Sequence, residues 1–453
     1  MALGTTENSV AKITGYVVKN ALMAFKNARL FSGLVTKEYN KEFEERGAKK
    51  GDTIYVRKPA QFRVRTGSAM KTQNIKETKI PVVIGEQKGV DFEFSVREAV
   101  LDIDHNKADY AERFIRPAGS TLASTKDAEG MAKASKGAGY TVISPIADTN
   151  EQLYSRFTTA KAMLNKFLAP KGVSERYAIV GSDIENRLAQ SVSTLFNASS
   201  DITRAIKTAG VENVGVGGLT WGSSDLAYVH TNGAGGATAV TASSVVPNYD
   251  SETQEITLSA IPTGLVVGDT LVFTDSKFVN AETKALYAQD LQRKVLAIDA
   301  GNSKVTVYSI RPAVITLGGV DVTTDNVDDT AVVTDAILNT AGVTRDEVRC
   351  RLAMANCSTL PQTASSVEVL GISGKHYLCC PVFQKKAVVL TSVDLVRPRR
   401  VEMSDVIRDD GMSIRFLEDY TIENDSLPDR LDVMAEFTNL YPEWIVDVEV
   451  QLD

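Results

Sequence analysis

Cysteine is scarce in this chain, four residues among 453, and two of the four, Cys379 and Cys380, are neighbours. A disulfide between adjacent cysteines is strained, and four thiols in so long a chain make no disulfide framework. Cys350 and Cys357 have six residues between them, which is not the short spacing of a zinc knuckle. Histidine is scarcer still: His105, His230 and His376 fall in three separate regions, none in a metal or nucleophile motif. There is no Gly-Lys-Ser/Thr phosphate loop and no Gly-x-Ser-x-Gly elbow, and the glycine cluster Gly215-Val-Gly-Gly218 reads as a linker. No metal, no cofactor and no catalytic residue is expected. The chain reads as an interaction protein, not an enzyme.

Long apolar runs are missing too. Ile80 to Ile84 and Ala387 to Leu390 fall far short of the roughly 20 residues that cross a bilayer, so no membrane span is expected. The start, Met1-Ala-Leu-Gly-Thr-Thr-Glu, has neither the basic residues nor the apolar stretch of a secretory signal, which points to a reducing cytoplasm. Basic residues are outnumbered, with 50 Lys and Arg against 57 Asp and Glu and a formal net charge of −7. The electrostatic footprint needed to neutralise many phosphates is absent, so any DNA nearby is expected to be held loosely.

What is present is ordinary globular composition, 43% hydrophobic and 24% charged, at a length that calls for more than one domain. From Val10 to Phe31 apolar residues recur every three or four positions, predicting an amphipathic helix. Lys12, Lys19 and Lys26 repeat every seven residues on a second face, a solvated face or a binding seam. Gly51 to Lys88 reads as two strand-like ends around a long polar, basic loop containing Arg57, Lys58, Arg63 and Arg65. A loop with so little apolar surface serves function or packs on a partner. Val90, Phe92 and Phe94 alternate with acids as in a half-buried strand.

Lys107 to Gly137 predicts a long helix, bent or broken at Pro117. Thr149-Asn-Glu-Gln152 is a capping box opening a helix that ends by Pro170, and Ser182-Asp-Ile-Glu185 opens another. Between about Gly215 and Val343 the composition turns to Gly, Thr, Ser, Val and Asp, predicting a separate β-rich domain with strands near 255–258, 270–273, 294–298 and 304–310 and a turn at Asp299 to Asn302. C-terminal strands are predicted at 386–390, 412–416, 431–437 and 444–450. The acidic pairs Asp328-Asp329 and Asp409-Asp410 read as exposed loop carboxylates, and Arg397-Pro-Arg-Arg400 as a protein contact.

The stretch Gly411-Met-Ser-Ile-Arg-Phe-Leu-Glu-Asp-Tyr-Thr-Ile-Glu-Asn-Asp-Ser-Leu-Pro-Asp-Arg-Leu-Asp-Val, with Leu440-Tyr-Pro-Glu443, resembles the end of tailed-phage coat proteins of the phage P-twenty-two type. Further blocks follow in family order: Gly51-Asp-Thr-Ile-Tyr-Val-Arg, Glu112-Arg-Phe-Ile-Arg-Pro-Ala, Gly268-Asp-Thr with Phe278-Val-Asn-Ala-Glu-Thr-Lys, and Gln384-Lys-Lys-Ala-Val-Val-Leu. The resemblance implies an α+β chain with a Hong Kong 97-type phage capsid fold and an inserted β-barrel domain. The expected divisions are an N-terminal arm at 1–48, an extended hairpin loop at 49–89, and a spine helix with part of a peripheral domain at 90–145. The first half of an axial domain follows at 146–220, the insertion at 221–343, the second axial half at 344–396, and peripheral strands at 397–453. The stretch Asp321 to Thr363 matches nothing specific.

The function implied is a major capsid protein assembling into an icosahedral shell around double-stranded DNA. The alternatives are a cargo-enclosing shell protein of the same fold or a β-rich phage adhesin. The partners implied are copies of itself as hexamers and pentamers, a scaffolding protein, a portal protein, decoration proteins and loosely held DNA, in a virion assembled in the host bacterial cytoplasm. Candidate contacts between subunits are Arg57, Lys58, Arg63, Arg65, Asp269, Asp275, Asp290, Arg397, Arg399 and Arg400. Lys12, Lys19 and Lys26 are candidate scaffold contacts.

Overall fold

The structure, a computed structural model, describes residues 21, 23, 29–37, 53–83, 86–95, 111–172, 175–195, 216–361, 366–398, 401, 403–409, 412–423 and 425–453. The predicted N-terminal helix lies almost wholly outside them, as do Lys12, Lys19, Lys26, Arg399 and Arg400. The chain divides into two compact units, one of Met1–Ile54, Val82–Lys133 and Val388–Leu440, the other of Tyr55–Pro81, Ala134–Ala387 and Tyr441–Asp453.

The first unit is organised by the fourteen-residue strand Ser426–Asn439. Its first part pairs antiparallel with both Met412–Glu418 and Gln87–Ser95, and its last part with Val388–Ser392; Met403–Asp409 adds an outer strand. The predicted alternation at Val90, Phe92 and Phe94 falls within this sheet. The long helix Arg116–Lys136 follows a π-helical turn at Ala111–Ile115. Pro117 therefore stands one residue past the π-helical turn, inside a continuous helix where it has no N–H to donate to the preceding turn, and the irregularity expected at proline lies just before it. Asp127 on this helix is buried and accepts hydrogen bonds from the backbone N–H groups of Leu30, Phe31 (2.9 Å) and Ser32 (3.1 Å). It thus caps the short helix Phe31–Leu34, and the Phe31 ring packs 5.5 Å from that of Phe437.

The second unit has a six-stranded mixed sheet. Tyr140–Ser144 runs parallel to Ile445–Gln451, which pairs antiparallel with His376–Gln384; that strand pairs with Arg176–Val180, and Arg176–Val180 runs parallel to Thr220–Ser223. Val229–Thr231 pairs with the start of His376–Gln384. The helix Asn150–Lys166 carries the predicted capping box, Thr149 Oγ1 accepting from Gln152 N and the Gln152 side chain accepting from Thr149 N. It buries Leu153, Phe157, Ala160, Met163 and Leu164 against Ala178, Val180, Val382 and Val448, with Ile184 and Leu188 of Ser182–Leu195 in the same core.

Inserted between Val229–Thr231 and His376–Gln384 is a seven-stranded antiparallel sheet. Its order is Leu286–Lys294, Thr270–Val279, Ser366–Val369, Gly236–Ser244, Thr253–Leu258, Lys304–Tyr308 and Ala297–Asp299. The two outermost strands are separated in sequence only by Val295 and Leu296, so the sheet curls until its edges approach, forming a barrel around Ile256, Leu271, Phe273, Leu291, Val305, Val307 and Val367. A satellite of the hairpin Ile315–Leu317 and Val320–Val322 with the helices Asp335–Thr340 and Arg345–Ala353 closes its own small core around Val322, Val327, Val348 and Leu352.

The sheet pairings place the limits of the insertion elsewhere than 221–343. Thr220–Ser223 and Val229–Thr231 belong to the host sheet, while Ser366–Val369, beyond the expected end, lies between two barrel strands. The two connecting segments meet where Asn232 N donates to Lys375 O (3.0 Å) and Gly374 N donates to Asn232 O (2.7 Å). They run so close that a Cβ on Gly235 would lie 2.5 Å from Ser373 N, and Gly371 is in the left-handed region at φ +96°. A fragment of residues 233–374 is expected to give dispersed amide NMR signals and a cooperative melt. The fragment 221–343, without the strand between two neighbours, is expected to show neither; equal behaviour of the two would contradict this division.

Candidate assembly surface

The strands Thr53–Arg57 and Lys79–Val83 form a two-stranded ladder, and residues 58–78 between them make the extended loop. At its base the Lys58 ammonium lies 3.0 Å from Glu252 and 3.2 Å from Glu443. Burial works against its charge, but the two carboxylates outweigh that and hold its pKa above the ordinary value. Burial alone would raise Glu252; Lys58 and Arg311 instead bring it down to about 2.

Further out, the Asp328 carboxylate gathers three cations: Arg63 at 2.9 Å, Lys71 at 3.0 Å and Arg349 at 2.8 Å. Burial pushes its pKa up, and hydrogen bonds from Arg63, Lys71 and Arg349 carry it down to about 2. Arg63 also donates to the Thr324 carbonyl. The loop then lies on the first turn of Arg345–Ala353: Thr72 Oγ1 donates to Asp346 (2.6 Å), Asn74 Nδ2 to Glu347 (3.1 Å), and Lys76 pairs with Glu347 (3.3 Å) and Asp250 (3.1 Å). Arg349 donates to both Asp346 and the Thr72 carbonyl at 2.7 Å.

These contacts to its own unit are polar, and the apolar side chains of the loop point the other way. Val64 is 89% exposed, Met70 84%, Ile75 66% and Phe62 60%. Arg65 is exposed too and, among the described residues, bonds only locally, to the carbonyls of Gly67 and Ala69. A segment that grips its own unit by charge and presents hydrophobes to solvent has the polarity of a contact surface, not of a core.

The remaining candidates are scattered. Arg57 pairs with Glu77 across the hairpin at 3.5 Å, both exposed. Asp275 is exposed, Asp290 pairs with Lys277 at 2.9 Å, and Arg397 pairs with Asp405 at 3.1 Å. Asp269 is different: it is fully buried, 2.8 Å from His230 Nε2, and accepts from the N–H groups of Gly233, Ala234 and Val266. It stabilises the monomer's own connection between host sheet and barrel and offers nothing to a neighbouring surface. Asp328, read from sequence as an exposed loop acid, is nearly buried among its cations, 265 residues from Arg63. No local pattern announces such a pairing.

One titratable cluster lies deep in the second unit. Lys294 Nζ is 3.3 Å from Asp447 and 2.5 Å from Glu449, all three buried, and a Cys379 Sγ, Asp447 and Glu449 ligand set comes within 4.8 Å. Burial together with Asp447 and Glu449 pushes the Cys379 thiol well above its ordinary range, so it is a protonated thiol beside an ammonium already seated among the carboxylates. Cys357 and Cys380 are likewise buried and raised, Cys357 to about 12.

A model of the family described as P22 coat protein - gene protein 5 matches residues 1–345. No curated protein matches the chain significantly. Among solved structures, one described as Mycobacterium phage Che8 is 11% identical with a TM-score of 0.44, over 93% of this chain and 90% of that one. The capsid of the cyanophage P-SCSP1u is 10% identical at 0.42, covering 89% and 84%. The capsid of Ralstonia phage GP4 is 7% identical at 0.41, covering 89% and 85%.

Proposed function

The chain belongs to the P22 coat protein family, and from that premise we propose how this structural shell protein works: hexamers and pentamers of it close into an icosahedral shell around double-stranded DNA, with loop 58–78 as a principal contact between copies. The observation that carries the loop's role is its inverted polarity, charges turned to its own unit and Phe62, Val64 and Met70 turned outward. The family match leaves the adhesin alternative without support. A scaffolding protein, a portal protein and decoration proteins are the further partners in this reading, in a virion assembled in the bacterial cytoplasm.

Strength in such a shell comes from closure. Each contact need contribute only a few kcal/mol, on the order of a millimolar to micromolar dissociation constant, because a subunit held by several neighbours meets the next at high effective concentration. Weak single contacts also let misplaced subunits leave. The net charge of −7 favours loose contact with packaged DNA.

The two arginines of the loop separate the roles. Arg65→Glu, or Val64→Ser with Met70→Ser, is expected to change monomer stability by no more than about 0.5 kcal/mol, as exposed substitutions do, while lowering the yield of closed particles. Arg63→Glu places a carboxylate beside Asp328 and is expected to destabilise the monomer itself. Normal particle yield from the Val64 and Met70 variant would remove the loop from the interface.

A further inference from the structure

A cavity of about 140 Å³ lies within the second unit. One wall is the base of the extended loop (Lys58, Lys76), another the barrel, and Pro442 and Glu443 close it. Four cations line it, Lys58, Lys76, Arg293 and Arg311, against two carboxylates, Glu252 and Glu443. Three of the four cations are neutralised in ion pairs: Lys58 by Glu252 and Glu443, Arg311 by Glu252 at 3.2 Å, and Lys76 by Asp250 and Glu347.

Arg293 is the exception. It is 6% exposed and, among the described residues, forms no ion pair. Its guanidinium donates only to neutral carbonyls, of Tyr308 (3.2 Å), Gln292 (2.8 Å) and Ser309 (3.4 Å), and lies 5.5 Å from the centre of the Phe278 ring. Three of its five N–H groups are used this way, which leaves donors and a whole positive charge at the cavity wall. Burial lowers its pKa to about 10, so it is charged at neutral pH and in an environment that an anion would improve.

The rest of the lining decides what kind of anion. Phe167, Phe278, Val279, Met354 and Pro442 are apolar, and the volume is close to that of an engineered cavity that accepts benzene. Phosphate would bring two charges and no hydrophobic surface to a site with one unmatched cation. We propose that this cavity binds a small organic monocarboxylate with an apolar body about the size of a benzene ring, its carboxylate on Arg293 and its body against Phe167, Phe278 and Met354.

The probe is benzoate, titrated into the full-length protein by calorimetry. Benzyl alcohol supplies the ring without the charge, and acetate the charge without the ring. Benzoate is expected to bind saturably at one site, with benzyl alcohol at least about tenfold weaker for want of the hydrogen bond to a charged group and acetate at least about tenfold weaker for want of the buried ring. Arg293→Met is expected to weaken benzoate about tenfold while leaving benzyl alcohol unchanged. Should that variant fail to fold, Ala281→Leu, which fills the cavity and leaves Arg293 in place, is expected to abolish binding. No saturable benzoate binding up to roughly 10 mM, equal affinity for benzoate and benzyl alcohol, or full binding in Ala281→Leu would overturn the proposal.

Discussion

Replacing Lys294 by methionine is expected to lower the stability of the monomer by about 3–5 kcal/mol, the loss seen when one partner of a buried ion pair is removed. Lys294 ends the barrel strand Leu286–Lys294, and its ammonium reaches Asp447 and Glu449 on the host strand Ile445–Gln451. The three side chains are 2%, 0% and 3% exposed, so solvent cannot replace the lost cation. Burial works against the ammonium, but Glu449 and Asp447 hold its pKa above the ordinary value. Glu449 is raised by burial despite Lys294 pulling it down, and Asp447 Oδ1 is already buried without a hydrogen-bond partner among the described residues. Without Lys294 a carboxyl there folds best when protonated. The sign follows: a group whose folded pKa lies above its unfolded value loses its contribution as pH rises, so the deficit of Lys294→Met is smallest near pH 4 and grows toward neutrality. Urea unfolding at several pH values measures it. A deficit under about 1 kcal/mol at pH 7 would show that the cluster is a surface-like pair. Exchanging all three residues for apolar ones of similar volume is expected to recover most of the loss.

The second large effect is expected at Asp328. Asp328→Asn leaves Arg63, Lys71 and Arg349 close together without their common acceptor, at a cost of about 2 kcal/mol, below the fully buried case because Lys71 is partly exposed. The loop should also become a better protease substrate around Arg63 and Arg65, since its outer half is held there mainly by this carboxylate. The gap narrows on acidification, as that of the Lys294 variant does, but it begins to narrow only at lower pH. The folded pKa of Asp328, about 2, lies below the ordinary 3.8, so its contribution is complete above about pH 4 and is lost as pH falls toward 2. Glu252, also near 2, adds in the same direction. The gap between wild type and Asp328→Asn should thus be constant from pH 7 to about 5 and narrow below 4. A gap that widens on acidification would contradict the assignment.

Local signals in the sequence were readable where structure is local. The capping box at Thr149 and Gln152, the strand signalled by Val90, Phe92 and Phe94, and the turn at Asp299 to Asn302 all rest on residues within a few positions of one another, and each of these elements recurs in the structure. Ser366–Val369 was not legible. It is four residues long, and its place is set by Thr241 and Phe273, about a hundred residues away or more. Lys294–Ile298, read as one strand, is split because the barrel closes there and the chain passes from one edge strand to the other.

The candidate site was legible in outline only. The polarity of 58–78 marked a loop with little to bury, but not which of its cations are used at home. Arg63 and Arg65 look alike in sequence, and only a carboxylate contributed by a distant segment distinguishes them. Lys294 and Asp447, charged residues in strands, and Asp269, taken from sequence as a contact between subunits, show the converse: only tertiary partners distant in sequence reveal that they are buried.

The central claim, that this coat protein acts by closing into a shell, is tested most directly by electron microscopy of the protein purified after co-expression with its phage's scaffolding protein. Uniform closed particles with icosahedral symmetry are the predicted result. A protein that remains a monodisperse monomer or trimer under every assembly condition would contradict it.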